Sequence, residues 1–212
     1  LEEGYGINML PLATFAMEAY ANDPCERFVF KVIPSGTNNM ESDLIRKMHK
    51  AIAIIRFKLE GQMILKWPEY GMENRLLLDK IDYEKKTVQI DGVTYEMKDT
   101  LLPTVDPDNP YALTGEELDV MKRLCSSFLH CEKLQRHIHL LLKKGSIYRV
   151  YNDNLLYHGC VPMNEDGEFT SVNIYGNYYS GKALFDVLES YVRKAFFASD
   201  PVEKEKGADM IW

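Results

Sequence analysis

The chain has 212 residues, of which 46% are hydrophobic, 27% charged and 11% aromatic, as in an ordinary globular protein. Its formal net charge is −7, which argues against a general affinity for nucleic-acid phosphates or anionic lipid. No segment approaches the ~18–20 consecutive apolar residues of a membrane span. The composition excludes collagen-like, coiled-coil and disordered classes, and the length predicts one or two domains with a buried core.

The four cysteines, Cys25, Cys125, Cys131 and Cys160, are widely spaced and form no CxxC pair. This spacing excludes zinc-knuckle and thioredoxin-like motifs. A chain of this length needs no covalent cross-link, so we expect free, buried thiols, while the even number leaves a disulfide pair open.

The two ends of the chain predict a segment of a longer polypeptide. The sequence starts without Met, and Leu1–Gly6 lacks the basic residues of a signal peptide. It stops on the apolar residues Met210–Trp212.

Two helices are predicted in the first third of the chain. Residues 8–22 carry an apolar stripe with Pro11 in the first turn, where a missing N–H is harmless. A second helix is expected to open near Thr37–Asn39, since Asn38 and Glu41 have the spacing of a capping box. Its apolar positions follow helical periodicity, and Gly61 either ends or weakens it.

The middle of the chain changes periodicity. Residues 74–98 alternate apolar and polar positions, which predicts strands, including one around Leu76 and Leu78, and Asp91-Gly92 is a strong hairpin signal. After a proline-rich connector, the capping box Thr114–Glu117 predicts one helix of about 30 residues that ends at Lys144.

The last third is predicted to be mixed. Two strands, Ile147–Tyr151 and Asn154–Tyr157, are joined by a short turn, and another short strand is expected between Phe169 and Ile174. Ser180–Phe197 predicts an amphipathic helix, and the charged tail Asp200–Gly207 is expected to be loose.

His158 is the histidine best placed to carry chemistry. It follows an apolar strand that we expect to be buried, and it precedes Gly159, a small neighbour that leaves room for an ion or a phosphate. A core histidine that binds a backbone carbonyl is the alternative. Cys160 is interpreted as structural rather than nucleophilic, because no orienting partner can be named. The sequence has no dinucleotide-binding or P-loop motif.

The second helix carries a local excess of basic residues that could bind phosphate groups. The candidates are Arg46, Lys50 and Arg56. A solvated helix face explains the same residues, so both interpretations stay open.

The segment Tyr157–Pro162 resembles the H-G-x-x-P block of calcineurin-like metallophosphoesterases, in which the histidine binds one of two metal ions. Four longer segments resemble the class III fructose-1,6-bisphosphatases of Firmicutes and other anaerobic bacteria. They are Gly4–Met17, Lys47–Gln62, Tyr151–Asn164 and Ala208–Trp212.

The resemblance implies an α/β fold, α+β within this chain. Residues 146–212 would be part of the metallophosphoesterase core, and residues 1–145 a long helical and hairpin elaboration between metal-ligand blocks. It also implies a cytoplasmic, Mn²⁺-dependent hydrolase that converts fructose 1,6-bisphosphate to fructose 6-phosphate in gluconeogenesis. Homo-oligomerisation is left open.

Only one of the family's metal-binding blocks falls within the chain, and it supplies His158 as the metal ligand. Arg46, Lys50 and Arg56 are the substrate-phosphate candidates, and the segment alone is expected to be inactive. Two alternatives remain, namely another metallophosphoesterase, acting on phosphoproteins or other sugar phosphates, and a non-enzymatic interaction domain.

Overall fold

In the computed structural model, which describes residues 2–28 and 39–212, the chain divides into two compact units, Leu1–Leu134 and Gln135–Trp212. Both contain helices and antiparallel strands, so the predicted mixed α/β class is confirmed. The functional division into residues 1–145 and 146–212 stays a prediction.

The first unit is built on helices α1 (Glu2–Tyr5), α2 (Leu10–Ala19), α3 (Asn39–Lys66) and α4 (Gly115–Leu129). The helix predicted in residues 8–22 is confirmed as α2, with Pro11 in its first turn. The second predicted helix is confirmed as α3 and continues past Gly61, while its proposed cap Asn38 lies outside the described residues.

The apolar stripes of α2, α3 and α4 meet in one core. Its buried residues are Leu12, Phe15, Ala16, Tyr20, Cys25, Ala51, Ile55, Val120 and Leu124. These positions recur at i, i+3 and i+4 in α2 and at i, i+4 in α3 and α4, so one face of each of these helices points inward. Burying a large apolar side chain completely stabilises the fold by about 1.5–3 kcal/mol, which makes this cluster the main source of stability of the first unit.

A buried ion pair ties α3 to α4. Lys58 donates to Glu117 at 2.7 Å, and neither side chain is exposed to solvent. Lys58 also donates to the carbonyl of Thr104. Glu117 belongs to the predicted capping box, which is confirmed: Thr114 N–H donates to its carboxylate at 2.8 Å, and its own N–H donates to the Thr114 hydroxyl at 3.1 Å.

A second apolar cluster forms around Tyr111. It contains Ile64, Leu76, Leu78 and Tyr111, so the prediction that Leu76 and Leu78 lie in a strand is wrong. These two leucines lie in and between 3₁₀ turns, at Glu73–Arg75 and Leu78–Lys80, and their alternation reflects burial against this cluster. Tyr111 is fixed further by a 2.7 Å hydrogen bond from its hydroxyl to Asp79.

The predicted hairpin at Asp91-Gly92 is confirmed. Strands β1 (Ile81–Asp82), β2 (Thr87–Ile90) and β3 (Val93–Glu96) form an antiparallel sheet in which Ile90 pairs with Val93. Asp91 and Gly92 have φ of 50° and 78°, the left-handed conformation of a type I′ turn.

The single long helix predicted after Thr114 is wrong. The chain forms α4 and then α5 (Glu132–Lys144), with His130 and Cys131 between them. The break has no Gly or Pro signal. The N–H of Cys131 turns to the carbonyl of Phe128 at 3.4 Å, and the His130 ring lies 2.8 Å from the carbonyl of Ser126, so local bonds replace the helical ladder.

The second unit contains two hairpins and two further helices. The predicted strands are confirmed as β4 (Tyr148–Tyr151) and β5 (Asn154–Tyr157). The strand predicted before Ile174 is confirmed as β6 (Val172–Ile174), which pairs with an unpredicted strand, β7 (Asn177–Tyr179). The predicted last helix is confirmed as α6 (Gly181–Phe197).

The tail that was expected to be loose is also a helix, α7 (Pro201–Ile211). Asp200 caps it by accepting the N–H of Val202, and Pro201 occupies its first position. Gly207 lets α7 approach α6 closely, since a Cβ there would lie 2.3 Å from the backbone nitrogen of Ala195.

All four cysteines lie in the described residues, and all four are free thiols, as predicted. Cys25 is buried, and its burial raises the pKa of the thiol to about 12. The expectation of burial is wrong for Cys125 and Cys160, which are exposed. Among the helices of residues 2–28 and 39–212, none combines the length and the apolar character that a membrane crossing requires.

Substituting Gly61→Ala should destabilise the first unit. The added Cβ would lie 2.0 Å from a ring carbon of Tyr111, whose hydroxyl bond to Asp79 restrains the ring. Overpacking of this kind costs about 1–3 kcal/mol and outweighs the gain of about 1 kcal/mol in helix propensity. The thermal unfolding midpoint should fall. Gly115→Ala, where a Cβ meets nothing within 4 Å, is the control and should not lower it; an unchanged midpoint for Gly61→Ala contradicts the clash.

Candidate functional site

His158 follows directly on strand β5, at the base of the β4–β5 hairpin. The register pairs Tyr148 with Tyr157, so His158 lies just beyond the last strand pair. Its side chain is exposed, as are all four residues of β5. The strand before His158 was expected to be buried, and in this chain that expectation is wrong.

Aromatic packing against α6 fixes the base of the hairpin. The ring of Phe185 stacks on Tyr148 with centroids 5.7 Å apart and contacts Tyr157 at 6.2 Å. Phe185 is itself buried. Because Tyr157 directly precedes His158, this contact also restrains the position of the His158 backbone.

Asp186 of α6 adds a polar anchor to the same end of the hairpin. It accepts hydrogen bonds from the Tyr148 hydroxyl at 2.8 Å and from Lys182 at 2.6 Å. The hydrogen bond from Lys182, followed by that from Tyr148, lowers the pKa of Asp186, so the carboxylate stays ionised at neutral pH.

Glu189 holds the segment that leads into β4. Its carboxylate accepts bonds from the Ser146 hydroxyl, from Ile147 N–H at 3.2 Å and from Arg193 at 2.7 Å. Burial by itself would raise the pKa of Glu189, but the bonds from Ser146 and Arg193 lower it on balance. Arg193 also donates to the carbonyl of Leu142 at 2.7 Å, which fixes the end of α5.

His158 lines an open concavity of about 350 Å³ together with basic side chains. Lys144, Ser146, Arg149 and Leu156 are among its other residues. Arg149 pairs with Leu156 across the hairpin, and both line the concavity with His158. Two cations and an imidazole around one depression favour an anionic group.

The described residues do not by themselves form a metal centre. Within residues 2–28 and 39–212, no group of three His, Cys, Asp or Glu side chains is placed to hold an ion. His158 could supply one nitrogen ligand, but further ligands would have to come from other residues, since Lys144 and Arg149 beside it are cations that suit a phosphate rather than a metal ion.

Lys50 is a structural residue of the first unit. Its side chain is 1% exposed and lies 2.5 Å from both Asp23 and Asp99. Burial by itself would raise the pKa of Asp23, but the hydrogen bonds from Lys50 and from Cys25 N–H lower it on balance. The ammonium is therefore committed to two carboxylates.

The other two phosphate candidates also lie on α3. Arg56 is exposed, and Arg46 is partly buried with its Nε atom shielded from solvent. Both belong to the first unit, whereas His158 belongs to the second. Their binding of phosphate stays a prediction.

Sequence reasoning missed Lys144 and Arg149 beside His158 and the anchors Asp186 and Glu189. A signal was present for the last of these, because Glu189 and Arg193 stand four residues apart on the polar face of an amphipathic helix and do form an ion pair. Nothing in the sequence shows that Glu189 also reaches Ser146.

These features describe a mixed α/β protein with an exposed His–Gly segment beside a basic concavity. The family model for the Firmicute fructose-1,6-bisphosphatases matches residues 1–212. The chain therefore belongs to the Firmicute fructose-1,6-bisphosphatase family.

Curated relatives named "Fructose-1,6-bisphosphatase class 3" match along the whole chain. The identity is 55% for the protein of Clostridium novyi, 51% for that of Clostridium tetani and 53% for that of Clostridioides difficile. In each case the match covers 100% of this chain and 32% of the relative. The chain thus spans about a third of their length. No solved structure matches it.

Replacing Lys50 by Met should destabilise the first unit. The change leaves the buried carboxylate of Asp23 without its cation, and breaking a buried pair on one side costs about 3–5 kcal/mol. Lys85→Met removes the exposed partner of Asp82 and should cost much less, because solvent screens this surface pair. Chemical denaturation of both variants measures the difference, and equal losses would argue against the structural role of Lys50.

Glu189→Gln should loosen the segment before β4, since the neutral amide binds Ser146, Ile147 N–H and Arg193 less strongly. The folded pKa of Glu189 lies below its reference value of 4.5, so its stabilisation is complete above that pH and is lost as the pH falls through the folded pKa. Hydrogen exchange of the Ile147 amide, corrected for intrinsic rate, should show lower protection in the variant and in the parent at acidic pH.

Glu203→Gln is the matched control for this experiment, because Glu203 also pairs with a cation of α6, Lys194, and does not accept from Ile147. Protection of Ile147 should stay as in the parent. A decrease as large as that of Glu189→Gln would show that general loosening of α6 is responsible.

Proposed function

We propose that the chain is part of a class 3 fructose-1,6-bisphosphatase, which hydrolyses fructose 1,6-bisphosphate to fructose 6-phosphate and phosphate in gluconeogenesis. The observation that carries the proposal is the family match over residues 1–212, joined by relatives of that name at 51–55% identity along the whole chain. Activity is assigned to the full-length protein and not to the isolated chain, since the relatives are about three times as long.

Within that protein, residues 146–212 would form part of the catalytic core, and residues 1–145 a helical and hairpin elaboration between metal-ligand blocks. A different observation supports the assignment of each part. The first unit has its own buried core, whereas the second carries the His–Gly segment. We assign the full-length protein to the cytoplasm, with a sugar bisphosphate as its small-molecule partner.

The metal requirement is also a proposal. We infer that His158 supplies one ligand to a Mn²⁺ site whose other ligands come from outside residues 1–212. Ions of this kind hold a phosphate and lower the pKa of bound water. Imidazole suits Mn²⁺ among other metals, so the identity of the ion rests on the family resemblance.

The chain's own residues would position the substrate rather than break the bond. Lys144 and Arg149 line the concavity with His158 and would attract a phosphate group of the bisphosphate. Phe185, Asp186 and Glu189 hold the hairpin that carries Arg149 and His158, so they act as positioning residues. Arg46 and Arg56 remain candidates for a second phosphate contact, whereas the ammonium of Lys50 is already paired with the carboxylates of Asp23 and Asp99.

Substituting His158→Ala in the full-length protein tests the proposal. Changing a residue behind a metal ligand costs about 10–100-fold in affinity or activity, so loss of a ligand should lower kcat/KM for fructose 1,6-bisphosphate at least about 100-fold. The amount of Mn²⁺ bound per protein, measured by elemental analysis, should fall with it. His130→Ala, at the exposed end of α4, is the control and should change neither quantity.

Assays with a panel of substrates test the substrate assignment independently of the role of His158 as a metal ligand. Unaltered activity of His158→Ala would refute its role as a ligand without touching the substrate assignment. Faster hydrolysis of a phosphopeptide or of another sugar phosphate by the parent would refute the substrate assignment and favour another metallophosphoesterase.

A further inference from the structure

An arginine of α6 binds the C-terminal end of α5. Arg193 donates from Nη1 to the carbonyl of Leu142 at 2.7 Å and from Nη2 to the carbonyl of Gly145 at 3.2 Å. Leu142 lies in the last turn of α5, where the carbonyls have no N–H partner within the helix, and Gly145 directly follows that turn. Arg193 therefore closes the end of one helix from the side of another.

The same guanidinium is bound to Glu189. Its Nε atom lies 3.1 Å and its Nη2 atom 2.7 Å from one oxygen of that carboxylate. The other carboxylate oxygen accepts the Ser146 hydroxyl and the Ile147 N–H. All three nitrogens of Arg193 are thus engaged by protein atoms. Arg193 and Glu189 together attach the chain from Leu142 to Ile147 to α6.

Open space borders this attached segment on more than one side. A cavity of about 270 Å³ is lined by Leu142 and Ile147 from the segment and by Val192 from α6. The concavity that contains His158 meets the same segment at Gly145–Ile147. Because side-chain packing against the segment is sparse, its position depends on the hydrogen bonds from Arg193 and Glu189.

Lys144 is the cation whose position follows from this attachment. It lies between the two residues whose carbonyls Arg193 binds, and it lines the concavity with Arg149 and His158. Lys144 belongs to α5, whereas the other two come from the hairpin, so two separate elements build the concavity. Within residues 2–28 and 39–212, no carboxylate forms an ion pair with Lys144 or Arg149, and both charges are available to an anion.

We propose that Arg193 is a positioning residue for substrate binding, which holds Lys144 where it can bind a phosphate group together with Arg149. The inference rests on the proposed function, in which the concavity attracts a phosphate of the sugar bisphosphate. Arg193 acts through the end of α5 and does not contact the phosphate itself, since its nitrogens are already bound within the protein. Its loss therefore weakens substrate binding more than the chemical step.

Substituting Arg193→Met in the full-length protein should raise KM for fructose 1,6-bisphosphate about 10-fold, because Lys144 loses its fixed place beside the phosphate. The value of kcat should change less than about 2-fold, because the hairpin that carries His158 keeps its own anchors on α6. Lys194→Met removes a surface pair from the next position of α6 and is the control, which should change neither constant. A fall in kcat at unchanged KM would overturn the proposal.

A double-mutant cycle shows whether Arg193 acts through Lys144. Lys144→Met alone should raise KM at least as much as Arg193→Met does. Adding Arg193→Met to Lys144→Met should then raise KM by less than about 2-fold, because the cation that Arg193 positions is already gone. If the two factors multiply instead, the residues act independently and the proposal is wrong.

Two measurements without turnover keep this test separate from the proposed function. The Gly145 amide donates to the carbonyl of Leu141 at 2.7 Å, and its hydrogen exchange should become at least about 10-fold faster in Arg193→Met but not in Lys144→Met. The dissociation constant of inorganic phosphate should follow the same cycle as KM. A parent that does not hydrolyse the bisphosphate refutes the proposed function, whereas unchanged exchange of Gly145 or multiplying factors for phosphate refute the role of Arg193.

Discussion

The buried pair of Lys58 and Glu117 is the interaction that sets how α3, the start of α4 and the loop at Thr104 fit together in the first unit. Removing two charges from water costs several kcal/mol per ion, and the cost is offset only when each charge finds further partners. Lys58 therefore also binds the Thr104 carbonyl, and Glu117 completes the cap of α4. One lysine thus fixes the position of the loop at Thr104 and the start of α4 relative to α3. Lys50 repeats this arrangement two turns earlier.

The second unit follows a different principle, because its polar anchors act at the surface. Asp186 and Glu189 lie on α6 and hold the base of the β4–β5 hairpin by hydrogen bonds, with Phe185 as the apolar contact between them. These bonds orient the strands but bury little area. The base of the hairpin is therefore positioned by hydrogen bonds at the surface, while many large apolar side chains of the unit stay exposed.

Short-range chemistry was predictable from the sequence, and long-range burial was not. The turn at Asp91-Gly92 and the cap at Thr114 need only neighbouring residues, and both were predicted correctly. No Gly or Pro marks the end of α4 at His130, so the helical periodicity of the apolar residues predicted one continuous helix across the break. Lys50 looked like a solvated phosphate ligand because its partners are 27 and 49 residues away. For the site, the sequence indicated His158 but not Arg149, which becomes its neighbour only through strand pairing.

The geometry of this chain accounts for one of two possible reasons for a glycine at position 159, namely the backbone conformation and not a steric limit. The sequence suggested that a glycine leaves room for an ion or a phosphate. In the structure a Cβ at Gly159 would meet nothing within 4 Å, so no described neighbour demands the space. Its φ of 90° does demand glycine, since other residues are strained there. The backbone turn after His158 thus needs glycine even in the isolated chain, and any closer steric requirement has to come from groups that approach this surface in the full-length protein.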